Sequence, residues 1–260
     1  MDISTVVGLI VGVVSLLLGM YFKGVTPDAL INPAAILIII AGTIGTVIIA
    51  FPLNELKRIP SLFGVLFKEQ KLQSDEELIK MFSEWADVAR REGLLSLESK
   101  ASDIDDPFLK NGLNLAIDGQ NADYIRDVLT EEVDAMSERH ASGALIFSQA
   151  GTYAPTLGVL GAVVGLIAAL KDMNDIDALG IAISAAFVAT LLGIFTGYVM
   201  WHPFANKLKR KSSAEVQQKM MIIEGILSVL EGEAPRVIEQ KLASFLPASK
   251  RKALIADDDE

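Results

Sequence analysis

The 260-residue chain has no cysteine and only two histidines, His140 and His202. The first absence excludes disulfide frameworks, thiolate metal centres and cysteine nucleophiles, and two histidines cannot make a histidine-rich metal site. Basic residues are also in short supply. Lys and Arg number 23 against 33 Asp and Glu, a net charge of −10 that argues against a nucleic-acid binder. There is no GxSxG, HExxH or phosphate-cradling loop, so neither an enzyme nor a bound metal or cofactor is expected. What the chain has in excess is apolar side chain: 51% of residues are apolar and 22% charged, with a mean hydropathy of +0.41. A soluble domain of this size keeps a charged surface and a lower average, so the two kinds of residue must be segregated along the chain.

Residues 3–22 carry no ionisable side chain except Tyr21, and at about 1.5 Å per residue they match a hydrocarbon layer of roughly 30 Å. Asp2 stands where a cleaved leader would have a positive charge, and no small-residue cleavage site precedes Lys23, which favours a membrane span. Residues 33–51 form a second run, opened by Asn32 as N-cap with Pro33 at the first helical position and closed by Pro52. Residues 144–170 and 178–201 are again free of Asp, Glu, Lys and Arg, joined by an acidic turn over 171–177. The expected architecture is an all-α membrane protein with four transmembrane helices in two hairpins, 1–52 and 144–202. A helical cytoplasmic domain is expected over 53–143, C-terminal helices over 203–246 and a disordered acidic tail over 247–260. Lys57, Arg58, Lys68 and Lys71 follow span two, and Lys207, Lys209, Arg210 and Lys211 follow span four. By the positive-inside rule both polar blocks and both termini are expected to face the cytoplasm, in a multi-pass membrane protein.

Within the polar blocks the period is helical. Ser74 and Glu77 match a capping box ahead of Leu78, Phe82, Trp85 and Ala89, with a stop near Gly93. Asp106-Pro107 opens a helix bearing Leu109, Leu113 and Ile117, ended by Gly119. Tyr124 to Met136 marks another that runs on toward span three. Met220, Ile223, Leu227 and Leu230 share a face beyond span four, and a short helix is expected over 235–245.

Small residues recur at three- and four-residue spacing in span one (Gly8, Gly12, Ser15, Gly19) and span three (Gly158, Gly161, Gly165), the pattern that lets membrane helices approach closely. Ser148, Thr152 and Thr156 repeat every fourth residue of span three, while Thr190 and Thr196 dot span four. Such hydroxyls either bond their own helix one turn back or line a polar path. Pro155, which kinks span three and frees a carbonyl within it, leans toward a path. No Asp, Glu or His lies inside any span, yet proton relays need such groups. If the protein moves ions, the titrating group belongs to another chain.

Several stretches together carry a resemblance: the run from Asn32-Pro33 to Thr43, the run Ala89-Arg90-Arg91-Glu92-Gly93-Leu94-Leu95-Ser96-Leu97-Glu98, then Ala154-Pro155-Thr156-Leu157-Gly158, and Trp201-His202-Pro203. In these the chain resembles the flagellar stator family MotA, within the wider MotA/TolQ/ExbB proton channels, over nearly its whole length. The resemblance implies a homopentameric ring around a MotB dimer, whose single-span helices supply the membrane aspartate. Proton passage would then drive torque on the rotor protein FliG. It also implies that Arg90 and Glu98 meet the rotor, that Pro155 and Pro203 serve conformational change, and that Thr156 and Thr190 line the ion path. Sodium-driven relatives carry a threonine where Ala162 stands, and a dehydrated sodium ion needs oxygen ligands, so protons are the expected coupling ion. The alternatives are an ExbB- or TolQ-like energiser of envelope transport, whose members have three spans, and a stand-alone cation channel.

Overall fold

The computed structural model describes residues 2–70, 72–170 and 176–251. Within them the chain is helical throughout. Residues 171–175 of the expected acidic turn and 252–260 of the expected tail lie outside the described residues. Residues 1–70 and 140–211 form one compact unit, 71–139 and 212–260 a second.

In the first unit, α1 (Ile3–Phe22) is one uninterrupted apolar helix. The second span comprises α2 (Pro33–Ile36), a widened π turn (Leu37–Ala41) and α3 (Gly42–Ala50). Asn32 caps it by accepting from the Ala35 N–H at 3.1 Å, with Pro33 at the first position as expected. Two further helices follow that sequence periodicity did not single out, α4 (Leu53–Leu56) and α5 (Ile59–Phe67). The first unit therefore reaches to residue 70, beyond the boundary at 52 expected from composition. α5 is held by aromatic contacts: Phe63 meets Phe147 edge-on at 5.2 Å, and Phe67 meets Phe204 at 6.1 Å.

The second unit contains α6 (Asp75–Glu92), a 3-10 turn (Leu94–Leu97), α7 (Glu98–Ser102) and α8 (Pro107–Ile117). The capping box ahead of α6 does not form. The Ser74 hydroxyl donates to the Glu76 carboxylate at 2.6 Å, and no side chain caps the helix. Asp106 does cap α8, accepting from the Phe108 N–H at 2.8 Å. The second unit's core is a continuous cluster built on Leu78, Phe82 and Trp85 of α6, Leu109 and Leu113 of α8, and Ile125 and Leu129 downstream.

Span three belongs to one 48-residue helix, α9 (Ala122–Ala169), which continues through Pro155 as helix. After it come α10 (Ile176–Phe195), a π turn (Thr196–Trp201), α11 (His202–Leu230) and α12 (Pro235–Ala243). The π turn explains how the helix carries Pro203. A proline offers no N–H to the carbonyl four residues back and crowds it, and a widened turn just before it absorbs both effects. On the C-terminal part of α11 the buried face differs from expectation. Met221, Ile222, Ile226 and Val229 are buried together with Ile223 and Leu227, whereas Met220 is exposed.

Candidate functional site

Among the described residues four helices contain a stretch long and apolar enough to cross a membrane: Ile3–Phe22, Pro33–Ala50, Ala122–Ala169 and Ile176–Leu230. The last two approach through their backbones. A Cβ on Gly158 would lie 2.8 Å from the Ala189 carbonyl oxygen and 3.1 Å from the Gly193 Cα, and one on Gly193 would lie 2.7 Å from the Ala154 oxygen. A Cβ on Gly197 would meet the Gly151 oxygen at 2.8 Å and the Pro155 ring at 2.7 Å. Pro155 has no N–H for that Gly151 carbonyl. The glycine opposite brings Cα–H groups close to it instead, next to the π turn that carries Gly197. The stripe read from spacing is only partly this seam. A Cβ on Gly165, Gly8 or Gly19 would meet nothing beyond its own helix backbone within 4 Å among the described residues, and one on Gly12 only the tip of Val199.

The structure thus brings Pro155 into the helix seam, while Pro203, at the second position of α11, is exposed and lines a shallow cleft with residues of α1. Thr156 is exposed, and Thr190 and Ala162 are half-buried. Thr156 donates to the Thr152 carbonyl at 3.2 Å, and Thr190 to the Ala186 carbonyl at 3.2 Å. Thr196 does likewise at 2.8 Å to the Leu192 carbonyl. A hydroxyl that gives its hydrogen to its own helix still presents oxygen lone pairs. These positions therefore offer acceptors, but no group able to release a proton near neutral pH.

At the start of the first unit, Asp2 is bonded to two of the basic residues that follow span four, Lys207 at 2.8 Å and Lys211 at 3.1 Å. The Lys207 hydrogen bond, aided by Ser4 and Lys211 against a counteracting effect of burial, holds the Asp2 carboxyl well below the usual carboxylate range.

Arg90 and Glu98 flank a turn in the second unit. Gly93 ends α6 at φ +86°, a conformation that side chains rarely adopt, and the chain then tightens into the 3-10 turn that leads to Glu98. Both charged side chains are exposed, and neither makes an ion pair among the described residues. Arg91, by contrast, pairs with Asp87 one turn back at 2.9 Å. Between them Leu95 is 72% exposed, an apolar side chain that spacing did not single out. The signal available in sequence was Gly93 itself, since a stop followed by two leucines and no helical period leaves one without a core to enter.

Two family models match the chain, "Motility protein A N-terminal" over residues 6–93 and "MotA/TolQ/ExbB proton channel family" over residues 100–221. Motility protein A of Bacillus subtilis (strain 168) is 67% identical over 251 residues, 96% of this chain and 93% of that protein. The chain belongs to the MotA family. Its structure agrees with this: the flagellar MotAB stator complex from Bacillus subtilis matches with a TM-score of 0.93 at 66% identity, covering 97% of this chain and 99% of that one. C. jejuni MotAB matches with a TM-score of 0.90 at 33% identity, covering 95% and 97%. The fold of MotA-family chains therefore holds across a halving of sequence identity. The N-terminal match takes in α1 to α6, so the leading hairpin is part of the family likeness.

Proposed function

We propose that this chain is the ring-forming subunit of a proton-driven flagellar stator, in which five copies surround a MotB dimer. The observation that carries this reading is the combination of a proton-channel family match with four apolar spans whose interiors hold no carboxylate or imidazole. A proton path needs a titratable group, and in this reading MotB supplies it as a membrane aspartate. Thr156 and Thr190 present acceptor oxygens along the path, while Ala162 withholds the oxygen that a dehydrated sodium ion would use. The seam around Pro155, Gly193 and Gly197 transmits ion passage to the ring. Its helix backbones are in direct contact, and a small change at one is felt at the other.

Arg90 and Glu98, exposed and without ion-pair partners among the described residues, are the rotor contacts in this reading. Each exposed pair with a rotor charge is worth about 0–1 kcal/mol, weak enough to be released at every step. The protein does no enzymatic chemistry and sits in the inner membrane with both termini cytoplasmic. The bonds of Asp2 to Lys207 and Lys211 support this, since basic residues at the ends of spans favour the cytoplasmic side.

The test is deletion of the gene. Flagella should remain intact but not rotate, and a reintroduced copy should restore swimming only when MotB retains its membrane aspartate. Swimming should survive sodium removal and stop with a protonophore. An envelope-transport defect with normal swimming would overturn the stator reading, and swimming that needs sodium would overturn proton coupling alone.

A further inference from the structure

The first unit carries an open cleft of about 560 Å³, within the range of small-ligand pockets, that the reading above does not use. Its walls come from the second span, α4, α5, α9 and the π turn, and include Val47, Phe63, Ile146 and Trp201. The lining reaches the surface at Ile48 and Leu53, which are 53% and 68% exposed. Among its lining residues Thr43 is 4% exposed and its hydroxyl has no hydrogen-bond partner among the described residues, unlike those of Thr46, Thr152, Thr156, Thr190 and Thr196. One cation lines the cavity, the exposed Lys57, which makes no ion pair among the described residues, and Arg58 is exposed beside it.

These features select the chemistry of an occupant. An inserted peptide would bring N–H and C=O groups that demand partners, and walls of aliphatic and aromatic carbon supply almost none. Hydrocarbon demands none. Positive charge at the rim, from Lys57 with Arg58 beside it, where the chain leaves the membrane span, favours an anion at the end of that hydrocarbon. We propose that this cavity is a binding site for an anionic glycerophospholipid, with an acyl chain lying among Val47, Phe63, Ile146 and Trp201 and the phosphate group facing Lys57. The inference rests on the membrane reading of the spans but not on the coupling ion or on torque.

The two tryptophans make a test possible, because Trp201 lines the cavity while Trp85 is buried in the other unit's core. In a Trp85→Phe background the complex with MotB is purified and placed in phosphatidylcholine vesicles. These contain a minor fraction of either dibrominated phosphatidylglycerol or dibrominated phosphatidylcholine, and quenching of Trp201 is followed. The expected result is a roughly five-fold preference for the brominated anionic lipid, the weight of one lysine at an anionic interface. Lys57→Gln, on an exposed side chain, should bring the two lipids to parity, while Thr43→Val should leave the preference in place. Equal quenching by both lipids in the parent would reduce the cavity to ordinary lipid contact. Absence of quenching by either would show it covered by a neighbouring copy of the chain, and each of these results overturns the proposal.

Discussion

The two units are stabilised by different means. In the first, α9 and α10 meet backbone to backbone through Gly158 and Gly193, and large side chains such as Ile49 (88% exposed) and Phe187 (72%) point outward. In the second, the large side chains point inward. Leu78, Ile79 and Phe82 are fully buried, and charged pairs are arranged outside them. Lipid offers no hydrophobic contrast, so the first unit gains from close approach, whereas water drives the second to bury area. The first unit should therefore tolerate no added atom at its seam, and the second should tolerate no removed atom in its core.

The largest effect is expected in the second unit. Phe82→Ala removes a fully buried ring that packs edge-on against Trp85 at 5.4 Å, and it should destabilise by about 3–5 kcal/mol. Unfolding followed by Trp85 fluorescence in a Trp201→Phe background should shift by that amount. Trp201 emission in a Trp85→Phe background should be little changed, and equal shifts of both probes would show that the units do not behave separately.

The complementary change is Gly193→Ala in the first unit. The new methyl would meet the Ala154 carbonyl oxygen at 2.7 Å and the Gly158 Cα at 2.9 Å, and backbone cannot rotate away as a side chain can. A cost of about 1–3 kcal/mol is expected for such overpacking, together with loss of swimming at normal membrane levels. Gly165→Ala, with nothing within 4 Å of the added carbon, is the control and should swim normally. If the two variants swim alike, backbone contact is not what couples these helices.

The same contrast decides what the sequence made legible. The four spans could be read because residues such as 3–22 carry no formal charge over a bilayer's length, and α6 and α8 because Leu78, Phe82, Leu109 and Leu113 keep the helical period. α5 escaped because its Phe63 and Phe67 find their partners in Phe147 and Phe204, far along the chain. The two π turns escaped because a widened turn depends on what packs against it. Gly197 shows a small residue, but not that Pro155 will lie beside it. Ser74 satisfied the capping pattern and then bonded Glu76, since the motif specifies which groups are present but not which acceptor wins. Arg90 and Glu98 came from family likeness alone, because exposed charges carry no packing signal. The structure adds that both are exposed, without ion-pair partners among the described residues.

Among the second unit's charges, Lys241 joins Glu224 and Glu233 and also donates to the buried Ser228 hydroxyl at 3.0 Å. Burial raises the Glu224 carboxyl, but the Lys241 hydrogen bond and charge outweigh it and leave it lowered. Lys241→Met removes a partner of both carboxylates and should destabilise by about 1–2 kcal/mol, limited because water reaches the site. Trp85 fluorescence during denaturation should report it, and an effect below that of surface substitutions would mean that Arg126, 3.3 Å from the Glu224 carboxylate, suffices for it.

The smallest effect is a matter of pH. The Ser74 hydroxyl and then Lys250, 2.9 Å away, lower the Glu76 carboxyl from 4.5 to about 2. A carboxyl lowered on folding contributes stability above its unfolded value, and loses that contribution as pH falls through the folded one. Glu76→Gln should therefore cost a little at neutral pH, less than Lys241→Met because water reaches this pair more freely, at 56% and 39% exposure. The difference from the parent should shrink steadily as pH falls from 4.5 toward 2. At the alkaline end the raised Lys250 amine keeps the pair charged until pH passes beyond its ordinary 10.5. A penalty that persisted unchanged to the acid limit would place the role of Glu76 in packing instead of charge, and would bring this edge of the second unit closer to the first in its physics.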